Sequence, residues 1–194
     1  NHTEHQHGHV LAAAVNLDFL ACVALNGTQT VRVQSEGWPM TTVDLSDLKV
    51  QEAEKETTAS LVRGVLAQLA QGGYKVAGFD MYAVSSVLPG SGLSSSAACE
   101  VLLGTAGNHL FCGDAYDAVT IARIGQKAEN IYFGKPSGLM DQTASSVGDT
   151  VAIDFENPEA PVVRPIEANL EGLGLALCII DCGADHAALT GEYA

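Results

Sequence analysis

Short runs of apolar and β-branched residues open the chain, and Val10–Val15, Phe19–Leu25 and Thr28–Gln34 predict three strands. Asn26-Gly27 between the second and third predicts a two-residue type I′ hairpin turn, a reading preferred over the glycosylation sequon that Asn26-Gly27-Thr28 also spells. Beyond the loop at Trp38-Pro39, Thr41–Leu45 predicts another strand. The period then changes: Leu61, Val62, Val65, Leu66 and Leu69 recur at helical spacing until Gly72-Gly73 stops them. Val76–Ser86 returns to strand. A Gly/Ser loop leads from it into a helix over Ser94–Leu110 whose only early charge is Glu100, so that helix is expected to be buried. A third helix is predicted over Asp114–Asn130, with Asp114 as N-cap and Asp117 three positions on. Pro136-Ser137-Gly138 starts a fourth, reaching about Ser146, and strands Thr150–Phe155 and Leu173–Asp181 complete the pattern. Strands and helices mix without strict βαβ alternation. The expected class is therefore α+β, with helices on one face of a largely antiparallel sheet, and no linker divides residues 1–194.

Composition narrows the function. Apolar residues make up 47% of the 194 and charged residues 16%, as in a well-packed globular protein. Nine Lys+Arg stand against 23 Asp+Glu, a formal net charge of -14, and without a basic cluster such a surface repels a nucleic-acid backbone. No apolar run approaches the ~18 residues of a membrane span, and the first residues do not read as a signal peptide. Five cysteines, an odd number set mostly in apolar stretches, point to free thiols and a cytoplasmic location. Asn rather than Met at position 1 and the abrupt Gly-Glu-Tyr-Ala at the other end lead us to expect a fragment of a longer chain.

The strongest chemical signal is Leu88-Pro89-Gly90-Ser91-Gly92-Leu93-Ser94-Ser95-Ser96-Ala97-Ala98, which runs from a strand into the buried helix. Its glycines allow close backbone approach, and its serines offer N-cap oxygens and N–H groups at the positive end of a helix, so Gly90–Ser96 can cradle phosphate despite the acidic surface. No Lys-Ser/Thr follows as in a Walker loop, Ser95 holds the place of a dinucleotide fingerprint's third glycine, and no Gly-x-Ser-x-Gly elbow can be drawn. A Ser-capped helix after an ordinary loop is the simpler alternative.

Two carboxylates draw notice. Ala118, Ala122, Gly125 and Glu129 share one helix face, so Glu129 projects from a small, buried-looking stripe and needs a partner; a surface or salt-bridged glutamate fits the periodicity as well. Asp141 lies in the first turn or so of the fourth helix, where the dipole favours its charge and Leu139, Met140 and Ala144 would desolvate it. It can orient or deprotonate a hydroxyl, or simply supply a favourable helix-start charge. His2, His5, His7 and His9 crowd the first nine residues, the last three alternating as on a strand face, but no nearby Cys completes a zinc set. Cys178 and Cys182 suit neither a redox pair nor a zinc knuckle, and read as free thiols.

The Gly/Ser loop resembles the second motif of the GHMP small-molecule kinases, in the Gly-Leu-Ser-Ser-Ser-Ala form of galactokinases. Asn1–His5 with Gly8, Val10 and Leu11, then Ala128-Glu129-Asn130, Gly138-Leu139-Met140-Asp141-Gln142 and Glu192-Tyr193 are similar to that family in order and spacing. The resemblance implies the N-terminal domain of the GHMP fold, like domain 2 of ribosomal protein S5, and phosphorylation of a sugar's anomeric hydroxyl by ATP with Mg²⁺. It implies that Gly90, Ser91, Gly92, Leu93, Ser94, Ser95 and Ser96 bind ATP, that Ser96 and Glu129 hold Mg²⁺, and that Asp141 is catalytic. Asn1, His2, Glu4, Gly138, Asp141 and Tyr193 would contact the sugar. A partner arginine would precede Asn1, and a C-terminal domain with another Gly-rich loop would follow. Asn1 stands where the family usually has Glu, Glu4 where it has Asp, His5 where it has Tyr, and Asp185 where some members have Arg. The resemblance implies galactose as the acceptor, and these departures keep N-acetylgalactosamine, arabinose or galacturonate as alternatives and a non-catalytic sugar sensor as the rival class.

Overall fold

The computed structural model describes residues 6–87, 92–168, 172–178 and 180. Strands β1 (His9–Ala13), β2 (Phe19–Leu25), β3 (Thr30–Ser35) and β4 (Thr41–Asp44) precede helix α1 (Thr58–Gln71) and strand β5 (Phe79–Ser85). Helices α2 (Ser95–Gly107), α3 (Ala118–Lys127) and α4 (Met140–Val147) then lead to β6 (Thr150–Asp154) and β7 (Val162–Ile166). The α+β class stands, but among the described residues two sheets take the place of the one expected. One is antiparallel in the order β1-β6-β7, and the other has the order β2-β5-β3-β4, with β3 and β5 parallel.

That order corrects the hairpin. β2 and β3 flank β5 instead of pairing with each other, because the chain at Gly78 passes between them: Gly78 N–H donates to the Thr28 carbonyl and Asn26 N–H to the Gly78 carbonyl. A Cβ at Gly78 would sit 2.6 Å from Asn26 Oδ1 and from the Thr30 carbonyl oxygen, so only glycine fits. Asn26 spans the opened loop, its Nδ2 donating to the Thr30 carbonyl at 2.9 Å and to Asp80 Oδ1 at 2.8 Å.

The larger core lies under the four-stranded sheet, where Val31, Val33, Val43, Phe79 and Met81 meet Leu61, Val62, Val65, Leu66 and Leu69 of α1. Arg63 is buried there for structure, paired with Glu54 through two 2.6 Å hydrogen bonds and donating to the Asp44 and Asp47 carbonyls. A smaller core sets Ala122 of α3 and Leu139 against Val151, Ile153 and Phe155. Small residues let the helices close up: a Cβ at Gly104 would come within 2.9 Å of Ile121, and one at Gly107 within 2.5 Å of Leu69.

Three further boundaries differ from the sequence reading. Asp117, not Asp114, caps α3 by accepting from Thr120 N–H at 2.8 Å, while Asp114 has φ +60° and pairs with His109. Residues 136–138 stay outside α4, which starts at Met140. No strand forms among the described residues of 173–181, where Leu173, Leu177 and Ile180 are exposed; the strand is β7, obscured by Pro165. That proline is tolerated because β7 is an edge strand. Among the described residues no helix is long and apolar enough to cross a membrane.

Candidate active site

Of the Gly/Ser loop, Leu88, Pro89, Gly90 and Ser91 lie outside the described residues. Gly92 has φ +77° with nothing within 4 Å of an added Cβ, so backbone conformation rather than crowding calls for glycine there. Leu93, Ser94, Ser95 and Ser96 are half-buried. Ser94 holds the N-cap position of α2 in the left-handed region (φ 59°, ψ 52°), and its side chain makes no capping bond. This departs from the expected N-cap oxygen: the left-handed backbone turns the hydroxyl away from the helix, and it donates instead to Asp141 Oδ2. The first amides of α2 thus receive no cap from the Ser94 side chain, while the Ser94 carbonyl accepts from Ala98 N–H at 3.1 Å.

Asp141 is the second residue of α4 and is exposed, whereas Gln142, Thr143 and Ala144 are buried. The expected desolvation of Asp141 is therefore not found: successive helical residues turn by about 100°, and the core takes the face of α4 that Asp141 does not share. Leu139, 2% exposed, faces the small core. The preceding loop is tied to the turn that follows α3 by Asn130, whose Oδ1 accepts from Ser137 N–H at 2.7 Å and from the Ser137 hydroxyl at 3.0 Å. Gly138 sits in this loop, half-buried.

α2 and α3 both run on into one wide π turn, Asn108–Cys112 and Ala128–Phe133, each ended by a glycine with positive φ. Such turns are frequent at functional sites. The second carries Glu129, only 2% exposed, in the stripe of Ala122 and Gly125 that the periodicity indicated. Its partners come from the loop and from α4: Lys135 Nζ lies 3.6 Å from Oε1, and Gln142 Nε2 donates to Oε2 at 3.0 Å.

Gln142 Nε2 also donates at 3.0 Å to Oε2 of a second buried carboxylate, Glu100, with no exposed surface. Burial first, then the Glu129 charge, pushes the Glu100 carboxyl up to about 8, against the pull of the Gln142 hydrogen bond and of Lys135. Neither Gln142 nor Glu100 stands among the residues to which the sequence assigned a role. The available signal was a lone acid in an otherwise apolar helix, four residues after Ser96 and opposite no basic residue in its own helix. Glu100 Oε1 and Gln142 Oε1 are buried without a protein partner.

The structure brings Ser94 to Asp141, and Glu129 to Gln142 and Lys135, but it shows no hydrogen bond from Ser96 to Glu129. Among the described residues no group of three or more His, Cys, Asp or Glu side chains gathers as for a metal. His7, at φ 54°, precedes β1 and bonds the Glu156 carbonyl, and the exposed His9 lies 3.6 Å from Asp154, so the two do not share a strand face. Cys22, Cys99, Cys112 and Cys178 are free thiols, and burial pushes Cys99 up to about 12. Asn1, His2, Glu4, His5, Cys182, Asp185, Glu192 and Tyr193 lie outside the described residues.

Comparison with known proteins bears on the same elements. Residues 60–149, from α1 to the end of α4, match the GHMP kinases N terminal domain. A galactokinase of Streptomyces coelicolor is 32% identical over 99% of this chain and 49% of its own length, and one of Clostridium tetani 34% identical over 76% and 37%. The chain thus spans half or less of the length of these curated relatives. Lactococcus lactis galactokinase, solved with galactose, superposes with a TM-score of 0.76 at 27% identity over 86% of this chain and 44% of that one. Methanococcus jannaschii mevalonate kinase shares the fold at a TM-score of 0.67 and 15% identity over 88% of this chain and 53% of its own. With its strand-to-helix Gly/Ser loop, its carboxylate at the start of α4 and these matches, the chain carries a GHMP kinase N-terminal domain over residues 60–149.

Proposed function

We propose that residues 1–194 form the N-terminal domain of a sugar 1-kinase that transfers the γ-phosphoryl group of ATP to the anomeric hydroxyl of galactose. The observation that carries this reading is the Ser94–Asp141 hydrogen bond, which sets a carboxylate beside the N-terminus of α2, where the Ser94 side chain makes no capping bond. An acceptor hydroxyl held by Asp141 then lies next to the place where phosphate is favoured. The names of the curated relatives and the galactose in the Lactococcus lactis structure support the choice of sugar.

In this mechanism the backbone of Gly90–Ser96 and the first amides of α2 bind the phosphates of ATP. Asp141 orients the sugar's O1 hydroxyl and accepts its proton as O1 bonds to the γ-phosphorus, and ADP leaves with the pair of electrons of the broken P–O bond. Ser94, already donating to Asp141, fixes which carboxylate oxygen faces the acceptor. Ser96 and Glu129 offer hard oxygen donors that suit Mg²⁺, and Glu129 Oε1 already faces an ammonium group at 3.6 Å. Two protein ligands suffice where phosphate and water complete the shell, and the ion would supply neutralisation of phosphate charge. Asn1, His2, Glu4, Gly138 and Tyr193 complete the sugar pocket in this reading. Asn1 and Glu4 also favour a second one, in which a sugar differing from galactose at a ring substituent is the acceptor, since an amide and a longer acid change the hydrogen bonds offered.

ADP release by the full-length protein, with galactose and a panel of related sugars, tests the proposal. Asp141→Asn keeps the shape and loses the basicity, so kcat is expected to fall roughly 10²–10⁴-fold with a much smaller change in sugar affinity. Near-wild-type turnover in the variant removes Asp141 from catalysis, and binding without turnover in the wild type replaces the kinase by a sensor.

A further inference from the structure

Glu100, Gln142 and Glu129 are 0%, 1% and 2% exposed, and come from α2, α4 and the π turn after α3. An amide nitrogen carries two hydrogens, and Gln142 Nε2 has one carboxylate oxygen at 3.0 Å for each: Glu100 Oε2 and Glu129 Oε2. With both directions used, the amide plane is fixed. With Glu100 removed, one buried N–H would lose its acceptor and the amide would be free to swing away from Glu129. Gly125 makes the space: a Cβ there would lie 3.0 Å from Glu100 Cβ, 3.3 Å from its Oε2 and 3.5 Å from Gln142 Cγ.

This arrangement treats the two oxygens of Glu129 differently. Oε2 is anchored inward on Gln142, and Oε1 is left toward the 35%-exposed Lys135 side chain, 3.6 Å away. We propose that Glu100 and Gln142 are positioning residues, a buried brace that holds Glu129 so that Oε1 is presented to the divalent cation carried by the nucleotide. The inference rests on the reading of Glu129 as a metal ligand. Partners behind a metal ligand fix its orientation, and their loss typically weakens the metal about 10–100-fold.

The readout is the Mg²⁺ concentration that half-saturates nucleotide binding to the full-length protein, followed by calorimetry without sugar and so without turnover. Gln142→Met and Glu100→Leu are expected to raise it roughly tenfold or more, leaving nucleotide binding in EDTA unchanged. Glu100→Gln, which keeps an oxygen to accept from Gln142, is expected to stay near wild type. A folded Gln142→Met or Glu100→Leu protein with wild-type Mg²⁺ dependence overturns the brace. Glu129→Gln separates the two ideas: if it too leaves the dependence unchanged, the metal reading falls; if it alone raises it, only the brace falls. Should the variants not fold, the wild-type protein decides by NMR. The Gln142 side-chain amide signals are expected to shift on adding Mg²⁺ with nucleotide and to stay put on adding nucleotide with EDTA; signals unmoved in both overturn the proposal.

Discussion

Asp141 and Gln142 are neighbours in the chain and sit in opposite surroundings. Asp141 is exposed and linked to one hydroxyl of the Gly/Ser loop, while Gln142 is buried and bridges two carboxylates on two other elements. One helical step separates a group free to meet a substrate from one that the fold has immobilised. The start of α4 thus serves a rim, where chemistry needs access, and an interior, where both amide hydrogens of Gln142 are taken up by buried carboxyl oxygens while Glu100 Oε1 and Gln142 Oε1 find no partner. The difference teaches that a motif of adjacent residues need not act at one place: outward and inward positions answer to separate physics, so their variants should fail in separate ways.

The comparison breaks most visibly in stability. Gln142→Met leaves the Oε2 atoms of Glu100 and Glu129 buried without a donor, and each such loss costs about 1–3 kcal/mol. A drop in Tm of roughly 5–15 °C is expected for a chain of this size. Asp141→Asn, on the rim, should move Tm by no more than about 2 °C. Thermal unfolding of both variants checks this, and equal losses would show that the rim and interior are not distinct.

pH sharpens the same contrast. Glu100 titrates near 8 in the fold, against about 4.3 in an unfolded chain. Between these values the native state keeps a proton that the unfolded state has released. That contribution to stability is whole below about pH 4.3 and is lost as pH rises toward 8, at up to about 1.4 kcal/mol per pH unit. Glu100→Gln has no proton to lose. Its advantage over wild type is expected to grow from pH 5 to pH 8 in denaturant titrations, and to level off above. Parallel curves for the two proteins would show that Glu100 is already charged at pH 5.

The rim was far more legible in sequence than the interior. Gly92, the serines and Asp141 stand in compact local patterns, and local patterns carry turn and helix-start chemistry. Phe19–Leu25 and the α1 stripe were equally open to reading, since a short apolar run and a period of 3.6 are both local properties. The partners were not. Glu100 and Gln142 are 42 residues apart, and nothing local says that three elements close on one amide. The insertion of β5 between β2 and β3 is hidden for the same reason: Asn26-Gly27 is good hairpin chemistry, overruled by Gly78 from a distant part of the chain. β7 escaped because Pro165 reads as a breaker until the strand is known to lie at an edge.

The smallest expected effect lies at Ser94, where stability and chemistry pull apart. Its left-handed backbone, φ 59°, is one that a residue with a Cβ adopts at a cost of about 1–2 kcal/mol, and glycine adopts freely. Ser94→Gly relieves that cost and removes the hydroxyl from Asp141, whereas Ser94→Ala removes the hydroxyl and keeps the strain. If the serine is there to orient Asp141, both variants should lose a similar several-fold in kcat, and only the glycine variant should gain in Tm, by a few degrees. If it serves the turn alone, the glycine variant should keep wild-type activity while gaining stability. Measuring turnover and unfolding side by side on the two variants separates the roles, because backbone strain is shared between serine and alanine and the hydrogen bond is absent from both substitutes.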